Sequence, residues 1–488
     1  MCHIKLFGID FAKCRVRERK SLINKELTMK LKISAILATL AIFNLSLSAQ
    51  AKKKAPAKPA APVVAAPAKP AAPAAPAAVA AAPAAAEEAP APVEGFFVKK
   101  VKGPVDGKEI TLKLGGYVDA YYAHHTRGQN DFRPGSGHPA GSDTGVSVGS
   151  SSGQTGRIFE SPGNQFSLGL IQTKFEIGNE DFQIVADLVH GPNAEQTNFN
   201  NLRGGASSTT STAIKQAYIA ANIVKGLKLT AGQFGTHIGY EVVESYQNAN
   251  YMLGYLFGFG PFYHTGAKLD YSMLDGKVGL MAGVVNGWDL QYDSNKDKTA
   301  IGQISLKPTS ALTILLNYAG GNETRASDSA TLPSTTAGYS NVGGMRHIGD
   351  LVIQYQVSKM IKVGVNVVYG QNKVNTDTAA QAWGGAAGYL SLTPVDGFTL
   401  SYRLDYFDDK QRARGLLGVA GNVGMGAVNT SGASVMGHTL TGTISMYGGH
   451  FLIRPEVKYD RSELEVFGTG GEAKKDNITA LIAFTGVY

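Results

Sequence analysis

The sequence predicts an all-β chain: an antiparallel transmembrane barrel of sixteen strands behind a disordered Ala/Pro-rich leader. Three observations predict it. From Ile110 onward apolar residues recur at every second position, the connections alternate between short and long, and the last segment ends on Tyr488. Phe398, Leu400, Tyr402, Leu404 and Tyr406 alternate with Thr399, Ser401, Arg403 and Asp405; Phe451, Ile453, Val457 and Tyr459 alternate with Arg454, Glu456, Lys458 and Asp460. A period of two puts one set on each face of a strand, one apolar and aromatic, the other charged.

In chain order, residues 1–28 are charged and unpatterned, and read as a mis-called start or an extension of the segment that follows. Residues 29–51 read as a secretory signal peptide. Lys30 and Lys32 give the basic end, 33–47 the apolar run, and Ala49-Gln50-Ala51 a small-x-small cleavage site; the apolar run is shorter than the roughly 20 residues of a spanning helix. Cys2 and Cys14 both precede that cleavage site, so the exported chain has no thiol for a disulfide or a metal. The formal charge of +8 also shrinks, because residues 1–51 hold 9 Lys/Arg against 3 Asp/Glu, leaving a net of about +2. That removes the nucleic-acid reading of a basic pI.

Residues 52–95 are an Ala/Pro/Lys tract whose prolines deny it a helix or a ladder and whose side chains build no core. It reads as a semi-rigid periplasmic spacer, either a peptidoglycan contact through its lysines or a plain exposed leader. It is too short and proline-rich to be the plug of a TonB-dependent receptor.

Within 96–488 the expected strands are 110–124, 165–178, 181–190, 212–223, 227–235, 263–273, 277–287 and 299–307. The series continues with 311–320, 346–357, 360–371, 382–392, 397–407, 437–446, 450–460 and 477–488. Most approach the 9–11 residues of a tilted membrane strand. Tight connections such as Leu274-Asp275-Gly276 and Tyr447-Gly448-Gly449 alternate with long polar ones such as 126–164 and 408–436. Short inner turns, long outer loops and an even strand number belong to an outer-membrane barrel. The terminal Tyr488 is of the kind that barrel assembly machinery reads, and outer-membrane lipid and lipopolysaccharide are the expected surroundings.

Three blocks carry a resemblance. GQFGTHIGYEVVESYQNANYMLGYLFGFGPFYHTGAKLDY from Gly232, GVVNGWDLQYDSNKDKTA from Gly283 and RPEVKYDRS from Arg454 resemble the beta-barrel porin family that includes the OmpL-like porins. The resemblance implies a bacterial outer-membrane pore for small solutes, and carries over no substrate-binding residues. A homotrimer is compatible with a barrel of this size, but no residue specifies one.

The first of these blocks holds the third long loop, 237–262, which has neither a helical period nor strict alternation. In general diffusion porins the corresponding loop folds inward. By that analogy Tyr240, Glu241, Glu244 and Tyr246 form a constriction, with Lys174, Lys215, Lys268, Lys362, Arg403, Arg454 and Lys458 as opposing cations of the lumen wall. The plainer reading is ordinary loop acids and solvated wall residues.

Other constellations are weaker. Residues 293–298, DSNKDK, resemble a calcium loop but carry Lys298 where glycine is needed and Ile304 where glutamate is needed, so no metal is expected. The parts of a hydrolase exist in His124, His125, His237, His264, Ser245 and Glu244, yet HExxH is absent and no spacing brings serine, histidine and acid together. The Gly-rich run 415–426 lacks the strand-to-helix pattern of a phosphate loop. The expectation is therefore a passive or weakly selective porin without cofactor, catalytic residue or nucleic-acid partner. The alternatives are a structural or adhesive barrel that binds a partner through its outer loops, and an outer-membrane hydrolase.

Overall fold

A computed structural model of the chain describes residues 97–103, 107–127, 159–160, 163–198, 213–293, 295–323, 344–373, 379–411, 413, 432–467 and 474–488. The expected start extension, signal peptide and leader lie outside the described residues, as does the Gly-rich run 415–426.

Seventeen strands are described. The first six are β1 (Phe97–Lys102), β2 (Glu109–His125), β3 (Gln165–Gly178), β4 (Phe182–His190), β5 (Ile214–Val224) and β6 (Leu227–Gly235). Next come β7 (Tyr263–Met273), β8 (Val278–Val285), β9 (Thr299–Thr309), β10 (Leu312–Asn322), β11 (Met345–Gln356) and β12 (Ile361–Asn372). The last are β13 (Gln381–Val395), β14 (Phe398–Asp408), β15 (Ser434–Met446), β16 (Phe451–Ser462) and β17 (Asp476–Val487). Two short helices, α1 (Pro192–Asn198) and α2 (Tyr255–Phe259), stand in the second and third long loops.

Strands β2 to β17 form a closed antiparallel ring: each pairs with the next, and β17 returns to β2 from Thr479↔His125 to Val487↔Tyr117. Closure leaves no edge in lipid, where an unpaired N–H or C=O has no water to turn to. All sixteen expected segments are strands, most within two residues of their expected limits. The tight turns use the residues that tolerate left-handed backbone, with φ of +81° at Gly226 and +79° at Gly397, each beside a register shift.

The burial pattern is inverted relative to a water-soluble protein. Phe166 is 79% exposed and Ile219 60%, both on the outward face, while Arg403, Asp405, Lys458 and Asp460 on the inward face are fully buried. An apolar exterior of this extent over a charged interior suits hydrocarbon outside and a polar lumen within.

The departure from expectation is β1. Its sequence, FVKKVK, carries lysines that break the alternation, so it does not read as a strand. It pairs with the start of β2, from Phe97↔Leu114 to Lys102↔Glu109, on the edge that β17 occupies higher up. The reason lies at the seam. Pairing from the β17 side reaches as far as Tyr488, which exchanges backbone hydrogen bonds with Gly116 at 2.8 and 2.9 Å, and β2 extends seven residues before that point. Without β1, the seam-side backbone of 109–114 would be unpaired. Gly116 is required here, since a Cβ would lie 2.0 Å from the Gln172 carbonyl oxygen.

Replacing Phe97–Lys102 by a Gly/Ser segment of equal length should speed hydrogen exchange of the seam-facing amides Ile110, Leu112 and Leu114 by about tenfold or more, whereas Thr111 and Lys113 face β3. Protection in β12 should be retained. Equal exchange at the Ile110, Leu112 and Leu114 amides in the two proteins would show that β1 does not protect the seam.

Candidate functional site

Between β6 and β7 the chain runs through residues 236–262, an apolar and aromatic stretch in which Ile238, Tyr251, Met252, Leu253 and all of α2 are buried. Irregular backbone cannot satisfy itself, so its N–H and C=O groups need partners from elsewhere. The ring supplies them. In ring order β14 is eight strands from β6, halfway round, and most of the backbone's partners lie on that side, on β11, β14 and β16, while others come from β2, β3, β5 and the β8–β9 connection nearer β6.

Wall carboxylates accept from the segment's backbone. Gly239 donates to Asp350 at 3.1 Å, Tyr251 and Met252 donate to Glu456 at 2.6 and 2.9 Å, and Tyr255 donates to Asp405 at 3.0 Å. Ser245 Oγ donates to Asp119 at 2.7 Å. At the return into β7, Phe262 and Tyr263 both donate to Asp289. Wall cations complement this by donating to the segment's carbonyls, Arg454 to Ser245 and Asn248, and Arg403 to Met252.

The segment's own acids meet wall cations directly. Glu241 Oε1 is 2.5 Å from Arg403 Nη1, and its other oxygen accepts from Gly254 N at 2.7 Å, closing the segment on itself. Glu244 pairs with Lys215 and accepts from Gln172 at 2.9 Å. Burial acts to raise the Glu244 carboxyl, but the charge and hydrogen bond of Lys215 and the Gln172 amide outweigh it and hold it below the usual carboxylate range.

Aromatic contacts complete the attachment. Tyr240 stacks on Tyr389 at 4.0 Å between centroids, Phe259 stacks on Phe407 at 4.3 Å, and Tyr246 meets Tyr117 edge to face at 5.0 Å. Gly364 makes the seat for Tyr240, because a Cβ there would lie 2.5 Å from the ring. Burial, then the neighbouring Glu241, pushes the Tyr240 hydroxyl up to about 12.

Of the cations expected on the wall, four meet the segment: Lys215, Arg403, Arg454 and Lys458, the last 4.1 Å from the Tyr255 ring. Lys215 arrives there through a bulge. Asp187↔Gln216 is followed by Leu188↔Ile214, so Lys215 is the extra residue and both it and Gln216 reach Asp187. Lys174 instead pairs with Glu176 and Lys268 with Asp270 at 3.2 Å, while Lys362 is exposed at the short-turn end with no ion pair among the described residues.

Sequence reasoning missed the wall carboxylates Asp119, Asp187, Asp350, Asp405 and Glu456. The signal was present, since Glu456 and Asp460 share the inward parity of Arg454 and Lys458, and Asp405 shares that of Arg403. Without the path of the segment, nothing marks them as acceptors.

The other constellations resolve locally. Ser245 is bonded to Asp119, and His237 to the Tyr318 carbonyl oxygen at 3.0 Å. His125 meets Thr479 at 2.8 Å, and His124 meets Asn164. Two Gly-x-Ser-x-Gly runs, 145–149 and 149–153, lie in a Gly/Ser-rich stretch of sequence outside the described residues, and the sequence around them lacks the strand-to-helix pattern of a nucleophile elbow. In the calcium-like run Lys298 pairs with Asp293, and Asp297 accepts from Asn322 at 2.5 Å. Among the described residues no group of three or more His, Cys, Asp or Glu is placed to hold a metal ion.

Known structures with a similar outline are outer-membrane proteins. OmpT of Vibrio cholerae, in its trimer form, is 10% identical with a TM-score of 0.46, covering 78% of this chain and 99% of that one. The anion-selective porin from Comamonas acidovorans is 8% identical (TM-score 0.47), covering 78% and 100%. The outer membrane channel DcaP of Acinetobacter baumannii is 11% identical (TM-score 0.45), covering 81% and 100%. No curated protein sequence matches the chain. The sequence does match the family described as beta-barrel porin-2, OmpL-like, over residues 111–486, from the second strand to the last. The chain belongs to that family, and is an integral barrel of the bacterial outer membrane and a channel rather than an enzyme.

Proposed function

We propose that the barrel passes small hydrophilic solutes by passive, weakly selective diffusion, and that the third outer loop narrows its lumen. The attachment of 236–262 to the wall halfway round the ring carries this reading. Glu241 and Glu244 then act first as anchors, and sieving by the narrowed lumen is the main filter. The chain enters the barrel through β1 at the short-turn, periplasmic end, which supports a periplasmic leader. A structural barrel with a blocked lumen is the rival reading, favoured by the deep burial of the same segment.

Planar-bilayer recording distinguishes the two. The full chain should form discrete channels, and liposome swelling should fall off with solute size across a sugar and amino-acid series. No channel at high protein load would favour the blocked barrel.

Removing an anchor should loosen the segment. Glu241→Ala leaves the buried Arg403 guanidinium with Asp405, at 3.5 Å, as its remaining carboxylate, so the loss should fall below the roughly 3–5 kcal/mol of a wholly uncompensated buried charge. Single-channel conductance should rise roughly twofold or become noisy, with a lowered Tm, because the loop no longer holds one position. Conductance identical to the parent would remove the anchoring role.

Acid should act in the same direction through His237. Burial, opposed by its bond to the Tyr318 carbonyl, lowers this imidazole to about 4, with Lys268 also disfavouring and Asp270 favouring the charge. His264 and Lys268 face it from β7. A released loop would protonate His237 near 6.5, so the docked form loses ground as pH falls from about 6.5 toward 4. Conductance noise should increase across that window, and His237→Gln should flatten the dependence.

A further inference from the structure

The geometry points to small anions as the solutes this pore favours, selected by a ring of unpaired lysines at its periplasmic mouth. The inference rests on the pore reading above, and names the class of solute that reading leaves open.

Four exposed lysines stand at inward positions near the periplasmic strand ends: Lys113 on β2, Lys228 on β6, Lys307 on β9 and Lys362 on β12. Their direction follows from the pleat. Lys113 shares the parity of buried Tyr117 and Asp119, Lys228 that of Thr230, Lys307 that of Ile301, and Lys362 that of Asn366 and Val368. None of the four forms an ion pair among the described residues. In ring order they are three or four strands apart, and together they span about two thirds of the circumference.

The acids at this end are treated differently. Glu109, Glu176, Asp181 and Asp270 are each matched by a lysine, namely Lys100, Lys174, Lys108 and Lys268. Glu180, Asp275 and Asp396 sit on the tight turns themselves and form no ion pair among the described residues, so it is at the inward strand positions just inside those turns that the unmatched charge is positive. Two adjoining cavities of about 300 and 760 Å³ open here and share Lys228 and Asp181; the first also takes in Lys113 and Glu176, and the second Glu180, Lys225 and Asp270. Of these acids Glu176, Asp181 and Asp270 are held by Lys174, Lys108 and Lys268. An ion entering from the periplasm meets these lysines across water.

Deeper in, the buried acids on the wall and segment are already occupied by cations and backbone N–H groups, as with Glu241 on Arg403 and Glu456 on Tyr251 and Met252. They are inaccessible to a permeating ion. A ring of like charge in a low-dielectric mouth raises the local concentration of the opposite ion, and carboxylate- or phosphate-bearing solutes of porin size have the matching chemistry.

The test is reversal potential across a planar bilayer with the full chain in a tenfold KCl gradient. The wild type should favour chloride over potassium by about twofold or more, and less at 1 M salt, where screening shortens to about 3 Å. The variant Lys113→Gln/Lys228→Gln/Lys307→Gln/Lys362→Gln should lose that preference. The four single variants, each removing one exposed charge, should lose part of it, and this covers the case in which the combined variant fails to fold. A potassium-preferring wild type, or single and combined variants with an unchanged ratio, would overturn the inference. Complete absence of channels is a different failure, removing the pore reading and the inference with it.

Discussion

Everything in this structure follows from the need to satisfy backbone hydrogen-bonding groups where water is scarce. In hydrocarbon an unpaired N–H or C=O costs several kcal/mol, so the sheet must close. Closure by β17 on β2 is nearly sufficient, but β2 begins before the stretch that β17 pairs with, and β1 pairs with that part of its edge. The lysines of β1 do not conflict with this, because at the short-turn end of the barrel they meet water. One constraint thus explains the sixteen-strand ring and the seventeenth strand outside it.

The same constraint explains why the interior is charged. A segment that crosses from β6 to the far wall brings a run of unpaired N–H groups, and apolar side chains cannot accept from them. Carboxylates can, each through two oxygens, as Glu456 does for Tyr251 and Met252. Buried carboxylates then require cations, and the alternation Arg454, Glu456, Lys458, Asp460 along β16 supplies both signs on one face. Such a network adds little net stability over an apolar core, since desolvation offsets most of the Coulomb gain. What it fixes is the path of the segment, because each donor has one acceptor at one height.

The barrel was legible because period two and the alternation of turn lengths are properties of the chain itself. The limits of β3, β6 and β7 fall where the pattern puts them, and only β1 escaped, its pairing being decided by a gap at the far end of the sequence. The site was legible in part. Arg403, Arg454 and Lys458 follow from strict alternation, whereas Lys215 depends on a bulge that no local residue announces. Lys174 and Lys268 have the right parity but find acids two residues along their own strands, so parity alone cannot say which cations reach the segment. Glu241 and Glu244 stood out as acids in an aromatic loop; that they anchor rather than face water depends on contacts from residues more than 100 positions away in one case and 29 in the other.

These two arrangements of charge separate holding a shape from attracting a solute. Two unit charges 4 Å apart interact by about 4 kcal/mol at an effective dielectric of 20, and by about 1 kcal/mol in bulk water. Inside, where Arg403 lies between Glu241 and Asp405, that strength is spent within the protein, out of a solute's reach. At the mouth each lysine is weaker, but it is unmatched and faces water, so its field extends to about a Debye length, roughly 8 Å at physiological salt. On the proposed reading, strong paired charges set the width of the passage, and weak unpaired ones act on what approaches it.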